Sequence, residues 1–160
     1  MYAVPFSQIS LRQLHPKDEA VFVSSLQLWQ GEAFEWYSFI LPKNPDIDFS
    51  DMLQQLENER EGVDLPEGRV PATMLYAFYN NQIIGRFNIR HTLNDFLLKR
   101  GGHVGYAVAP SFRKRGVANQ MMKLGLEYIR EHLKIDKILI TCVDDNVGSI
   151  RVIEKSGGIL

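Results

Sequence analysis

A single cysteine in 160 residues leaves no disulfide framework. With Cys142 unpaired, the chain reads as one suited to a reducing compartment, and a cytoplasmic location is expected. Excess charge is missing too. Eighteen Lys and Arg stand against nineteen Asp and Glu, a net charge of −1. That excludes a global field drawing the chain to nucleic acid or to an anionic membrane, so any basic patch has to be local. No apolar run approaches the roughly 20 residues of a membrane span. The start, Met1-Tyr2-Ala3-Val4-Pro5-Phe6-Ser7, lacks the basic residues and apolar run of a signal peptide. Internal repeats, low-complexity tracts and linkers are absent. What remains is ordinary: 45% hydrophobic and 23% charged residues, enough for one core without staples. A single domain over 1–160 is expected.

Periodicity divides the chain into elements. Ile9 to Leu14 alternates and predicts a strand. Pro16, with Asp18 and Glu19 behind it, predicts a helix start, and Gly31 its end. An aromatic stretch follows, Phe34, Trp36, Tyr37 and Phe39. Asp48 to Gly62 predicts a second helix. Ala72–Tyr79 and Ile83–Ile89 predict a hairpin around Asn80-Asn81, because Asn tolerates positive φ. His103–Val108 predicts another strand. Met122, Leu126, Ile129 and Leu133 mark the clearest helix, starting near Gly116. The apolar run Ile135–Val143, with Cys142 in its core, predicts a strand covered on both faces. Asp145-Asn146 cap a last helix, Val147–Lys155, ended by Gly157-Gly158. The expected fold is α/β with a mixed sheet: an antiparallel hairpin, a parallel right-handed crossover at 103–143, and helices on both faces.

The stretch Val108-Ala109-Pro110-Ser111-Phe112-Arg113-Lys114-Arg115-Gly116-Val117-Ala118 organises this pattern. A strand runs into a basic glycine turn and then a helix start. Backbone N–H groups there are unpaired, and the helix dipole favours negative charge. The candidate ligand is a phosphate or pyrophosphate.

These residues resemble the GNAT superfamily of acetyl-CoA-dependent N-acetyltransferases. Arg113 to Ala118 is similar to its [Gln/Arg]-x-x-Gly-x-[Gly/Ala] signature, preceded by Val108-Ala109-Pro110. Asn146-Val147-Gly148-Ser149, continuing to Glu154-Lys155-Ser156-Gly157, resembles the downstream element of the family. The resemblance implies acetyl-CoA as cosubstrate and no metal. It implies coenzyme contacts from Tyr106, Ala107, Val108, Arg113, Lys114, Arg115, Gly116, Val117, Ala118, Asn146 and Ser149. It implies that the Val108 N–H meets the acetyl carbonyl and that an amine of a small molecule or peptide is the acceptor. Neither nucleic acid nor a membrane is expected as a partner.

The chain also departs from the family. The position of the usual Tyr acid is Ile153, and that of a Glu base used by histone-modifying relatives is Gly102. Ser149, Tyr106 or solvent is left as candidate acid. His103, Glu32, His91 and Asp95 are left as candidate bases. The aromatics 34–39 either line the acceptor pocket or fill core. The missing Tyr and Glu keep a second reading open, a non-catalytic acyl-CoA-binding or sensor domain. The family continues with two further strands, so a truncated chain, or an open apolar edge that pairs into a homodimer, is also an expectation.

Overall fold

A computed structural model describes residues 2–159, apart from the side chains of Phe6 and Phe34. The expectations resting on the Phe34 side chain and on Leu160 fall outside it. Four strands form one sheet in the order β1-β2-β3-β4: Ser10–Arg12, Ala72–Tyr79, Gln82–Arg90 and Val104–Val108. Every neighbouring pair is antiparallel. The β2–β3 turn is made by Asn80 (φ 46°) and Asn81 (φ 57°), a handedness that suits the twist of a tight hairpin. The register shifts by one residue at Ala77/Phe78, a bulge.

The helices are α1 (Glu19–Ser25), α2 (Phe49–Glu61), α3 (Asp95–Lys99), α4 (Val117–Tyr128) and α5 (Val147–Lys155). The first expected helix proves to be three pieces. A single 3₁₀ turn, Pro16–Asp18, enters α1, and another, Leu26–Trp29, leaves it. The entry is fixed by Asp18, which accepts two bonds from the Arg12 guanidinium (2.6 and 2.9 Å) and one from the His15 N–H (2.7 Å). These bonds, chiefly those from Arg12, hold the Asp18 carboxyl below the usual range.

Alternation along β2 sends Tyr76 to one face and Leu75 to the other. Phe22 of α1 meets Tyr76 edge-on at 5.9 Å and Phe49 of α2 at 5.6 Å, so α1 and α2 cover the Tyr76 face. Leu75 pairs with Phe87, and a side chain at Gly125 of α4 would overlap the Phe87 ring. The α4 helix therefore covers the opposite face and lies close on β3.

The expected parallel strand at Ile135–Val143 does not form. That stretch makes one isolated antiparallel bridge, Ile140 to Gly102. It is tied further by the bonds from the His103 N–H to the Leu139 carbonyl (2.8 Å), from the Leu139 N–H to His103 Nδ1 (3.0 Å) and from the Gly101 N–H to Thr141 Oγ1 (2.9 Å). An apolar β-branched run becomes a strand only with a neighbour to pair with, and here pairing stops before β4 begins. Cys142 is consequently exposed rather than core. No helix among the described residues is long and apolar enough to cross a membrane.

Candidate functional site

The outer edge of β4 is where the sheet opens. The Arg90 N–H donates to the His103 carbonyl (2.7 Å) and the Ala109 N–H to the Ile84 carbonyl (2.9 Å). Odd-numbered residues of β4 thus turn their backbone groups to β3. Alternation turns those of Tyr106 and Val108 outward, where no strand lies among the described residues. The Val108 carbonyl accepts from Arg113 Nε (2.9 Å), which leaves the Val108 N–H as the group aimed past the edge.

A cleft of about 850 Å³ lies there. Its walls carry Tyr106, Ala107 and Val108 of β4, the turn residues Arg113, Lys114 and Gly116, and Val117, Ala118 and Asn119 of α4. Asn146, Gly148, Ser149, Arg151 and Lys155 close it from α5. Lys114 (φ 58°) and Gly116 (φ 83°) are both left-handed. Alternating handedness turns successive N–H groups to one side, the arrangement that receives an anion. Gly116 caps α4 without a side-chain bond, so the first N–H groups of the helix stay available. Asn146 caps α5 by accepting from the Ser149 N–H (3.0 Å). Two helix starts therefore face one cleft.

An acetyltransferase (GNAT) domain model matches residues 8–159. The chain belongs to the GNAT acetyltransferase family. A search among curated proteins gave no match. Solved structures repeat the fold at low identity. RimJ of Mycobacterium smegmatis, in complex with CoA-disulfide, is 15% identical with a TM-score of 0.62, over 95% of this chain and 70% of that one. The ribosomal-protein-S5-alanine acetyltransferase of Vibrio fischeri is 15% identical with a TM-score of 0.60, over 98% and 82%. The microcin C7 self-immunity acetyltransferase MccE, in complex with acetyl-CoA and AMP, is 20% identical with a TM-score of 0.53, over 97% and 81%.

Within this GNAT domain the expected site residues separate. Tyr106, Ala107, Val108, Arg113, Lys114, Gly116, Val117, Ala118, Asn146 and Ser149 all line the cleft. Arg115 does not. Its Nε donates to the Tyr2 carbonyl (3.1 Å), its guanidinium lies over the Phe112 ring, and its own carbonyl accepts from the Val4 N–H. The expectation for its side chain is corrected: it anchors the N-terminal segment to the turn. Glu32 reaches the cleft, but paired to Arg113 Nη1 (2.9 Å), which removes it as an unengaged base. His103 is behind the cleft, its Nδ1 accepting the Leu139 N–H (3.0 Å). That bond needs the neutral ring, and burial lowers the His103 pKa. His91 pairs with Thr73 Oγ1 (2.8 Å), and Asp95 occupies the first turn of α3 after its cap Asn94. Neither lines the cleft. Gly102 has φ 59°, and a side chain there would strike the Leu139 carbonyl, so no residue with a Cβ is accommodated at the position of the Glu base.

Of the acid candidates, the Tyr106 hydroxyl is buried with no partner of hydrogen-bonding geometry. Burial raises its pKa. Ser149 is near enough to offset part of that rise, although its geometry falls short of a bond. Phenol and Ser149 hydroxyl are therefore neighbours on one wall. Sequence reasoning missed Asn119, Gly148, Arg151 and Lys155. The signal was available for α5, where 148, 151 and 155 repeat at helical spacing after the Asn146 cap. The aromatic stretch divides: Trp36 lines the cleft, while Tyr37 is fully buried core. Among the described residues no group of three or more His, Cys, Asp or Glu is arranged to hold a metal.

Proposed function

We propose that this GNAT domain transfers the acetyl group of acetyl-CoA to a primary amine of a small molecule or peptide. The observation that carries this is the convergence of the outward Val108 N–H, the left-handed basic turn and two helix starts on one cleft. The turn and the α4 start suit the pyrophosphate. The Val108 N–H suits the acetyl oxygen, which gains charge as the amine nitrogen attacks the carbonyl carbon. As the C–S bond breaks, the thiolate takes a proton, for which the Tyr106 phenol on the cleft wall is the donor in this reading, and the proton lost by the attacking nitrogen passes to solvent and so restores the phenol. The attacking amine must itself be neutral, at a cost of roughly 4–5 kcal/mol for a lysine-like amine at pH 7. MccE, with acetyl-CoA and AMP, and RimJ, with a coenzyme A species, offer precedents for the donor in this fold.

Calorimetry with acetyl-CoA tests the first step, and thiol release across an amine panel tests the second. Binding followed by release above the enzyme-free rate is expected. Absence of acetyl-CoA binding would refute the proposal. Tight binding with no release on any amine would favour the competing reading, a non-catalytic acyl-CoA sensor, whose support is Ile153 in place of the usual Tyr.

A further inference from the structure

Arg86 lies in the middle of β3 with 2% of its surface exposed. Its Nε donates to the Trp36 carbonyl (2.9 Å), and its guanidinium stands 4.2 Å from the centre of the Phe39 ring. Nη1 has no partner, and no ion pair among the described residues includes Arg86. The titratable groups that act on it are Tyr76, opposite it on β2, and Arg90. The first is a neutral phenol at pH 7 and the second repels it. Burial lowers the Arg86 pKa to about 10, so the group is still a cation at neutral pH. Asn88, two residues along on the same face, is 4% exposed, and its Oδ1 is also without a partner.

A buried cation without a counter-ion is costly, and buried polar atoms are as a rule paired. A clamp on the Trp36 carbonyl explains Nε alone. It does not explain two unpartnered polar groups side by side. Their placement does suggest a use. Arg86 pairs with Ala107 and Asn88 with Gly105 on β4, so only small residues separate them from the open edge. Ala107 and Trp36 both line the cleft. Arg86 is thus one strand spacing, about 4.8 Å, behind the wall next to Val108. It stands on the α1/α2 face, whereas the basic turn leads into α4 on the other face. The cover over it, residues 31–41, contains one three-residue turn and no strand or longer helix. Tyr37 anchors it in the core, its hydroxyl donating to the Phe22 carbonyl (2.8 Å), so uncovering Arg86 requires Trp36 and Phe39 to move while Tyr37 stays in place.

We propose that Arg86 and Asn88 are the specificity subsite for the acceptor and select an amine that carries a carboxylate. The planar guanidinium pairs with the carboxylate, and Asn88 Oδ1 accepts an N–H of the same molecule. Coenzyme on the α4 side and acceptor on the α1/α2 side then meet at Val108. The fate of the amine rests on the acetyl-transfer reading; the binding of the carboxylate does not.

The test uses a panel of N-acetyl amino acids and the matching N-acetyl amino-acid amides, titrated calorimetrically into the protein with CoA present. At least one acid is expected to bind tenfold or more tightly than its amide. Arg86→Met is expected to bring that ratio close to one. No discrimination across the panel, or unchanged discrimination in Arg86→Met, overturns the proposal. So does tighter binding of the corresponding phosphonate. If Arg86→Met no longer binds CoA and so fails as a folded control, Arg86→Lys keeps the charge but not the fork and should still lower the ratio. Thiol release with amino acids against their decarboxylated amines separates the two readings. Carboxylate-dependent binding without turnover sinks acetyl transfer and leaves this subsite standing. Turnover with no preference for the carboxylate does the reverse.

Discussion

Replacing Gly125 by Ala sets two known effects against each other. Helix propensity alone favours Ala by about 0.8–1 kcal/mol in the interior of α4. Packing opposes it. The added methyl would coincide with the Phe87 ring edge, which is fully buried at the centre of the sheet. The ring has little room to retreat, because Leu75 lies opposite it and Tyr106 is stacked on it at 6.3 Å between centroids. Overpacking of this kind costs about 1–3 kcal/mol, and backbone on the far side puts this case at the upper end. A net loss of about 1–2 kcal/mol is expected, or a melting temperature lower by roughly 2–8 °C for a chain of this size. Chemical denaturation and melting would measure it. Because Phe87 connects α4 to Tyr106, acetyl-CoA affinity should fall as well. Phe87→Leu removes the obstructing ring edge, so the double variant should lose less than the sum of the single losses. A Gly125→Ala protein that melts higher than the parent would refute the close approach of α4 to β3.

Gly116→Glu should abolish acetyl-CoA binding by calorimetry, since it puts a carboxylate at the turn and strains a φ of 83°; unchanged affinity would remove the turn from the site. Tyr106→Phe should lower kcat by about 10²-fold if the phenol is the acid, and an unaltered kcat would return that role to Ser149 or solvent. Stability should fall as pH drops below about 6.5, the ordinary His value. Both His91 and His103 have lowered pKa values in the fold, so the unfolded chain binds protons first and the loss continues until the folded groups titrate. His103→Asn, which keeps an acceptor for the Leu139 N–H without a titrating ring, should reduce that loss in melts from pH 7.5 to 5.0.

Local chemistry was legible where it decided the outcome locally. Asn80-Asn81 announced the hairpin, Asn146 the start of α5, and the 113–118 turn the start of α4. The strand expected at Ile135–Val143 failed because strand formation depends on a partner elsewhere in the chain, and composition carries no record of whether that partner is present. The same non-locality hid the two arginine roles. Arg115 looks like Arg113 in sequence, yet one is bonded to Tyr2 and the other to Val108 and Glu32. Arg86 left a trace in the sequence. Between Ile83 and Ile89 the other residues of β3 are apolar or Gly, so Arg86 and Asn88 interrupt its interior, and in a sheet covered on both faces no exposed side exists for them.

The near-neutral chain still presents a strongly anion-attracting surface, and the reason is segregation rather than excess. Arg113, Lys114, Arg151 and Lys155 line the cleft against one carboxylate, Glu32, which is itself engaged by Arg113. Several of the acidic residues that balance the chain are paired away from the cleft, Glu57, Glu59 and Glu61 of α2 with Arg60 and Arg69. At physiological ionic strength fields fade over about 8 Å, so those distant carboxylates do not cancel the cleft potential. Arg86 extends the segregation to the other face of β4, and as a buried cation it is screened less than the surface lysines. A cosubstrate with a pyrophosphate and an acceptor with a carboxylate would therefore each find a cation on its own side of the strand, with the Val108 N–H between them.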